Sequence, residues 1–235
     1  MCKVRDENIN NRMTRQVFRL AKARARSVDR AITSTLSATR VPAFLSQSEI
    51  NNVLTLKEKH QILGFTPSKP RDHWQTQYVS AGGLFESSFP DIYAKIKALP
   101  PLVDRRLFGD SGGTKESQEQ LHQDCLQDIH VRCAEIHTAR AGGSLNDPGH
   151  FDSGSVVTVD ILLSGEFEGG AMTMSGEKID FKVGDALIFP SYKYHTVEKI
   201  TGGTRECLVM EFWNGEEKLC NHRCNIAKGN CQEFL

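Results

Sequence analysis

The pattern of apolar and polar residues divides the chain into a helical first part and a strand-rich second part. Apolar residues recur at helical spacing in four segments of the first part. The predicted helices span about residues 10–36, 47–63, 89–99 and 116–128. Ser46 and Ser48 are candidate N-caps of the second helix, and Pro100 ends the third because proline cannot continue a helix.

From Arg132 onwards the apolar residues fall instead into short β-branched and aromatic runs separated by glycine-rich breaks. The runs are VRCAEIHTA, VVTVDILL, GAMTM, KIDFKV, ALIFP, HTVEKI and RECLVMEFW. This spacing leaves no room for crossover helices, so the sheet is antiparallel and must close or double over to protect its edges. We therefore predict an α+β fold in which supporting α-helices precede a double-stranded β-helix (jelly-roll) barrel.

The same change of pattern predicts four regions along the chain. They are an N-terminal helical segment over 1–45, a helical support region over 46–130, a jelly-roll core over 131–214 and a cysteine-containing C-terminal tail over 215–235. The length is sufficient for one substantial hydrophobic core.

Composition and charge narrow the range of partners. The chain has 29 Lys and Arg against 29 Asp and Glu, so its formal net charge is zero. Without excess positive charge, no nucleic acid partner is expected. There is no run of about 20 apolar residues and no secretory signal, so we expect no membrane association and an intracellular, soluble, cytoplasmic protein. The Arg-rich, acid-free segment 12–26 leaves organelle targeting open.

Candidate metal ligands lie around the strand run VVTVDILL. His150 and Asp152 are two residues apart in GHFDSGS, so both side chains point to one face if the segment is extended. By itself the pair favours the interpretation that both are surface or turn residues. His195 follows the run ALIFP and adds a second imidazole. Two histidines and one carboxylate form the facial triad that binds Fe(II) and leaves positions open for other ligands.

Arg205 is a permanent charge inside an otherwise apolar alternating strand. If it points inward it needs an anion, and a dicarboxylic cosubstrate would supply one. The alternative is a salt bridge to Glu198 or Glu206 at the rim. A hairpin at Gly202-Gly203 would leave Arg205 roughly 17 Å from His195, whereas a turn that carries the chain to the facing sheet would place the two across a cavity.

The ordered set HFD, GDALIFPSYKYHTV and then Arg205 resembles the Fe(II)- and 2-oxoglutarate-dependent dioxygenases, on their prolyl 4-hydroxylase-like side. The resemblance covers about residues 130–214. It implies that His150, Asp152 and His195 are the catalytic residues that ligate iron and that Arg205 binds the distal carboxylate of 2-oxoglutarate.

With O2, such an enzyme converts 2-oxoglutarate to succinate and carbon dioxide and hydroxylates a substrate C–H bond, often with ascorbate in support. Family tyrosines that flank the His-x-Asp pair are missing from TARAGGSLNDPG and VVTVDILL. The resemblance therefore does not imply a prolyl substrate, and either a small molecule or a protein side chain is expected. Oligomeric state is left open.

Two other functions fit the same residues. One is a cupin-like module that binds a metal or a small acid without catalysis, and the other is a different metal enzyme on the same barrel. Arg205 argues against the second, because such reactions need no buried partner for a further carboxylate.

The seven cysteines form no disulfide framework. The tail places Cys220, His222, Cys224 and Cys231 close together in sequence, which provides donors for a zinc site or thiols for one disulfide. Reduced cysteines are the favoured interpretation.

Overall fold

A computed structural model describes residues 36–69, 71, 73–104 and 129–224 of the chain. The helix predicted over 116–128 lies outside the described residues, as does all but the last residue of the helix predicted over 10–36. The end of the tail beyond Cys224, with Cys231, lies outside them as well. The predicted domain boundaries remain predictions.

The described residues form three α-helices and ten β-strands. The helices are Gln47–Ile62 (α1), Leu84–Ser88 (α2) and Pro90–Lys97 (α3), with 3-10 turns at Ala81–Gly83 and Pro100–Leu102. The strands are Thr39–Val41 (β1), Trp74–Tyr78 (β2), His130–Arg140 (β3), Val157–Leu162 (β4), Phe167–Gly169 (β5), Met172–Met174 (β6), Glu177–Lys178 (β7), Ala186–Pro190 (β8), His195–Val197 (β9) and Ile200–Trp213 (β10).

Two antiparallel sheets form a double-stranded β-helix. The larger sheet has the order β1-β8-β4-β10-β3-β2, with β5 paired to the start of β10, and the smaller has the order β7-β6-β9. From β4 the chain passes through β6 and β7 in the small sheet, returns through β8, crosses to β9 and returns again along β10. The α+β, jelly-roll prediction is therefore confirmed.

Helix α1 forms where its end signals predict it. The Ser46 side chain accepts a hydrogen bond from the Glu49 backbone, and the Glu49 carboxylate accepts one from the Ser46 backbone. This capping box satisfies amide groups that have no partner within the helix. Ile50, Val53 and Leu56 are buried, and they join the main hydrophobic core with residues of α2, α3 and the large sheet.

Strand β10 has two different faces because side chains alternate along a strand. Leu208, Met210 and Phe212 belong to the main hydrophobic core, which also contains the helices. Arg205 and Cys207 lie on the other face, and both are buried as well.

The predicted turn at ITGGT is instead part of β10. The first residues of β10 pair with β5 and the rest pair with β3 and β4, with a register shift between Ile200 and Gly202. Gly203 has φ 69°, and a Cβ there would lie 2.1 Å from the Glu166 carbonyl oxygen. Only glycine fits this crossing point. The change of partner within one strand, rather than a hairpin, places Arg205 in the large sheet and His195 in the small one.

The predicted strands are recovered with changed ends, and three strands were not predicted. The run KIDFKV contributes only Lys178 to β7, and Ile179 and Phe181 pack against buried residues of both sheets. The unpredicted strands are short or lie at an edge: β1, β2 and β5. None of the described helices is long and apolar enough to cross a membrane.

We predict that Ser46→Ala lowers the free energy of unfolding by about 1 kcal/mol, because it removes the side-chain half of the capping box. Ser48→Ala is the matched control: Ser48 is exposed within α1 and does not cap it, so its replacement changes stability by less than about 0.5 kcal/mol. Urea denaturation followed by circular dichroism measures both. Equal effects of the two substitutions would contradict the assignment of Ser46 as the cap.

Candidate functional site

The structure brings His150, Asp152 and His195 together. One ligand atom from each lies within 4.8 Å of the others. His150 Nε2 is 3.6 Å from Asp152 Oδ1, and His195 Nε2 is 3.9 Å from Asp152 Oδ2. The side chains therefore converge on one point, as the sequence predicted.

The convergence comes from a loop rather than from an extended strand. Residues 149–152 lie between β3 and β4 and carry no strand assignment. The His150 amide donates to the Asp147 carbonyl, and the Asp152 amide donates to the Ser191 carbonyl at 2.7 Å. The His195 amide donates to the His150 carbonyl, which joins the loop to the start of β9.

Neighbouring groups orient the three side chains. The Thr158 hydroxyl donates to Asp152 Oδ2 at 2.8 Å. His195 Nδ1 lies 3.0 Å from the Lys193 carbonyl, so Nδ1 donates a proton to that oxygen and Nε2 is directed toward Asp152. Burial would raise the pKa of Asp152, but the hydrogen bond from His150 and the charges of His195 and Arg223 outweigh it, so the pKa is lowered. Asp152 is therefore held as a carboxylate.

Arg205 is buried in the large sheet, with only 2% of its surface exposed. Its one hydrogen-bond partner among the described residues is the Cys207 sulfur, at 3.2 Å from Nη1. Among those residues no carboxylate oxygen lies within 4.0 Å of the guanidinium. The alternative salt bridges are not formed, because Glu198 contacts Lys178 and Glu206 contacts Lys57.

Asp160 is a buried acid near Arg205 that the sequence analysis did not select. It lies on β4 opposite Val209 of β10, and its Oδ1 has no hydrogen-bond partner among the described residues. Burial raises its pKa, while the charges of Arg205, His137 and His195 act in the opposite direction. Asp160 therefore lies in the electrostatic field of both Arg205 and the metal-ligand cluster.

A second charged group lies beside Asp152. Arg223, from the C-terminal tail, contacts Glu135 at 3.0 Å and Glu211 at 2.6 Å, and its Nη1 is 4.0 Å from Asp152 Oδ1. Arg132 also reaches Glu211, at 3.2 Å. Burial would raise the pKa of Glu135, but Arg223 holds it well below the ordinary value. This arrangement balances buried acids of β3 and β10 with two guanidinium groups.

Asp160 and Arg223, which were not among the predicted site residues, differ in how far the sequence could have revealed them. Asp160 is the one acid within VVTVDILL, so an unexpected charge in an apolar strand could have identified it. Arg223 lies in a polar tail and carries no such signal. Its partner Glu135 is 88 residues away in sequence.

Comparisons with known proteins support the fold. No protein-family model and no curated protein matches the sequence. Among solved structures, a viral collagen prolyl hydroxylase from Paramecium bursaria Chlorella virus 1, in complex with 2-oxoglutarate, superposes with a TM-score of 0.52 at 12% identity, covering 76% of this chain and 96% of that one.

Two further structures show similar agreement. An α-ketoglutarate-dependent non-heme epimerase from nogalamycin biosynthesis matches with a TM-score of 0.53 at 13% identity, covering 85% of this chain and 83% of that one. A Trichoplax adhaerens prolyl hydroxylase, in complex with a hypoxia-inducible-factor peptide fragment, matches with a TM-score of 0.50 at 12% identity. The match covers 85% of this chain and 91% of that one. The chain thus has the prolyl 4-hydroxylase-like fold of the 2-oxoglutarate- and iron-dependent oxygenases.

We predict that Arg223→Met lowers the free energy of unfolding by about 3 kcal/mol at neutral pH, because it leaves buried carboxylates without their partner. The folded-state pKa of Glu135 is lowered, so the stabilisation is present above the ordinary value of 4.5 and is lost as the pH falls through the folded-state value. The difference from wild type therefore shrinks in acid.

Lys218→Met is the matched control, since Lys218 lies in the same tail and its partner Glu216 is largely exposed. Its effect should stay below about 1 kcal/mol. Guanidinium denaturation across a pH series measures both variants. A loss of stability with Arg223→Met that does not vary with pH would contradict the electrostatic role.

Proposed function

We propose that the chain is an Fe(II)- and 2-oxoglutarate-dependent oxygenase that acts on a C–H bond of a small molecule or a protein side chain. The observation that carries the proposal is the buried Arg205 guanidinium, which has no carboxylate within 4.0 Å among the described residues. Arg205 lies in the large sheet, whereas His195 lies in the small one. A permanent charge in this position favours an anionic ligand.

The three converging side chains fit iron. Two imidazoles and one carboxylate, without sulfur, are the donor set of a non-heme Fe(II) facial triad, whereas structural zinc is held mainly by thiolate sulfur together with imidazole. His150, Asp152 and His195 would hold the ion. Bound iron would supply O2 activation, coupled to oxidative decarboxylation of 2-oxoglutarate to succinate and carbon dioxide.

The chain supplies orientation, charge and exclusion of water. Thr158 fixes the Asp152 carboxylate, and the Lys193 carbonyl fixes the proton of His195 on Nδ1. Phe189 packs edge-on against the His195 ring, with centroids 5.2 Å apart, and shields it from solvent. These contacts hold the ligand atoms in place before any ligand binds.

Arg205 would bind the distal carboxylate of 2-oxoglutarate. Its side chain passes Gly170, which has φ 64° and where a Cβ would lie 3.3 Å from Arg205 Cδ. A guanidinium offers two parallel donors to a carboxylate, and in a buried site this pairing is strong. These features support the role for Arg205 that the sequence resemblance implies.

The substrate would approach on the side of His150, which is more exposed than the other two ligands. Phe151 is 37% exposed and stacks edge-on against Tyr194 at 5.9 Å, so an aromatic pair borders the cluster. Such a pair suits an organic substrate with an apolar portion. The structural neighbours include both hydroxylases and an epimerase, so the fold does not select the reaction outcome.

A metal-binding module without catalysis is the second candidate. It is expected to leave Arg205 in solvent or paired with an internal acid. The burial of Arg205 without a contacting carboxylate among the described residues favours the oxygenase.

We predict that the purified chain, supplied with Fe(II), ascorbate, O2 and 2-oxoglutarate, produces succinate, and that His195→Ala abolishes the product. Arg205→Met should raise KM for 2-oxoglutarate by at least about 30-fold, since it removes one partner of a buried charge pair. Arg140→Met is the control, because Arg140 is exposed at the end of the neighbouring strand β3. Succinate formation that survives His195→Ala would refute the proposal.

Turnover without the true substrate is slow, so binding is measured as well. Calorimetric titration of 2-oxoglutarate into the anaerobic Mn(II)-loaded protein should show one binding site that Arg205→Met weakens and Arg140→Met does not. If neither protein binds 2-oxoglutarate, the cosubstrate assignment fails.

We predict that Asp160→Asn tightens 2-oxoglutarate binding by about tenfold or more at neutral pH, because an ionised Asp160 repels a second carboxylate near Arg205. The pKa of Asp160 is raised by burial, so wild-type affinity should approach that of the variant as the pH falls through it. His137, His195 and Cys207 also face Asp160, and they are present in both wild type and variant. The ratio of the two affinities for 2-oxoglutarate therefore reports the effect of Asp160 alone. A ratio that does not change with pH would contradict this role.

A further inference from the structure

Cys220, His222 and Cys224 form a cluster of metal donors in the C-terminal tail, separate from the His150 site. Their donor atoms all lie within 4.8 Å of one another. Cys224 Sγ is 3.2 Å from Cys220 Sγ and 3.6 Å from His222 Nε2. Both cysteines are buried at 4% exposure, and neither is in a disulfide.

We propose that Cys220, His222 and Cys224 bind a zinc ion that fixes the tail against the barrel. This site is independent of the oxygenase assignment, because it shares no ligand with the His150 cluster. Its role would be structural.

The donor set and spacing suit zinc. Thiolate sulfur and imidazole nitrogen are the ligands of structural zinc, whereas the triad has one carboxylate and no sulfur. With Zn–S bonds of about 2.3 Å, two tetrahedral sulfur ligands lie about 3.7 Å apart. The observed 3.2 Å and 3.6 Å separations require shifts of only tenths of an ångström. Three protein ligands leave one tetrahedral position for water or for a further donor.

The surrounding contacts bring the donors together in advance. The Leu219 carbonyl accepts from the Gly82 amide, the Asn221 carboxamide oxygen lies 2.8 Å from His60 Nε2, and the Cys224 carbonyl accepts from Arg132 Nε at 2.6 Å. The segment that carries the ligands is therefore anchored to the folded core at three points, two through its backbone and one through the Asn221 side chain. Anchoring lowers the conformational entropy that the tail would lose on binding a metal.

An apolar wall protects one side of the cluster. Trp213, the last residue of β10, packs against Cys220 and Cys224 as a separate buried group. The Trp213 indole N–H donates to the Glu216 carbonyl, so the ring orientation is fixed. Exclusion of water on this side favours retention of a bound ion.

Zinc binding here would position a residue of the other site. Arg223 lies between His222 and Cys224, and its guanidinium contacts Glu135, Glu211 and, at 4.0 Å, Asp152. An ion held by the residues on both sides of Arg223 would keep that charge beside Asp152. Zinc would therefore tie the tail to the charged group next to the iron ligands.

The test is the zinc content of full-length protein in a His195→Ala background, which weakens metal binding at the triad. We expect about one zinc per chain by plasma mass spectrometry after dialysis. The double substitution Cys220→Ser, Cys224→Ser should reduce this to near zero. Cys207→Ser is the matched control, because Cys207 is also buried but belongs to no donor cluster among the described residues, and it should retain zinc.

Cobalt substitution in the wild-type chain needs no variant and distinguishes the two sites. Co(II) at the tail cluster should give thiolate-to-metal charge-transfer absorption in the near ultraviolet, which the sulfur-free triad cannot give. This absorption should disappear on adding one equivalent of Zn(II).

Three results would overturn the proposal. They are zinc content that is unchanged by the double substitution, cobalt binding without sulfur charge transfer, and a Cys220–Cys224 disulfide detected by mass spectrometry in protein purified without added oxidant. None of them bears on succinate formation, so failure of the zinc site and failure of the oxygenase proposal remain distinguishable.

Discussion

Strand β10 must satisfy two opposite environments along its length. One face supplies Leu208, Met210 and Phe212 to the core shared with the helices, and the other carries Arg205 and Cys207. Side chains alternate with a period of two, so a slip by one residue would place the guanidinium in the apolar core and the apolar residues among the charges. Burial of apolar side chains on one face and placement of charged side chains on the other therefore both fix the register of β10 with β3 and β4. The positions of Arg205, Asp160 and Glu135 follow from that register.

The price of this arrangement is a set of ionisable groups that are buried together. Charges inside a protein are tolerated only when they have partners, and two solutions occur in this barrel. Glu135 and Glu211 are contacted by guanidinium groups from β3 and the tail, and burial together with the neighbouring acids raises the pKa of Glu211 to about 8. Among the described residues, Arg205 has the Cys207 sulfur and the nearby charge of Asp160 but no contacting carboxylate, which leaves the guanidinium incompletely matched. Incomplete matching is destabilising in the free protein, but it provides binding energy when an anion arrives.

The sequence predicted the fold through its spacing. Short β-branched runs without crossover helices were sufficient for an antiparallel jelly roll, and capping signals located α1. Strands β1, β2 and β5 were missed because short edge strands depend on partners elsewhere in the chain. The ITGGT segment predicts a turn, since two adjacent glycines usually break a strand, yet in the structure they let one strand change partners.

The candidate ligands His150, Asp152 and His195 were predicted from chemical type and order, and the structure brings them together. The local structure that brings them together differs from the predicted one. His150 and Asp152 lie in a loop held by backbone hydrogen bonds rather than on a strand. Asp160 could have been recognised as an isolated charge in an apolar run. Arg223 could not, since its importance depends on contacts 88 residues away that no local pattern encodes.

That long separation also matters for how the protein is made. Glu135 lies early in the barrel, and Arg223 leaves the ribosome only after every strand has been synthesised. Until then the acids of β3 and β10 lack one of their positive partners. We therefore expect the emerging barrel to remain loosely packed, because closer packing would bury unpaired charges. Completion of the charge cluster would thus be a late step of assembly, and His150, Asp152 and His195 would acquire their final electrostatic surroundings only when the tail has docked.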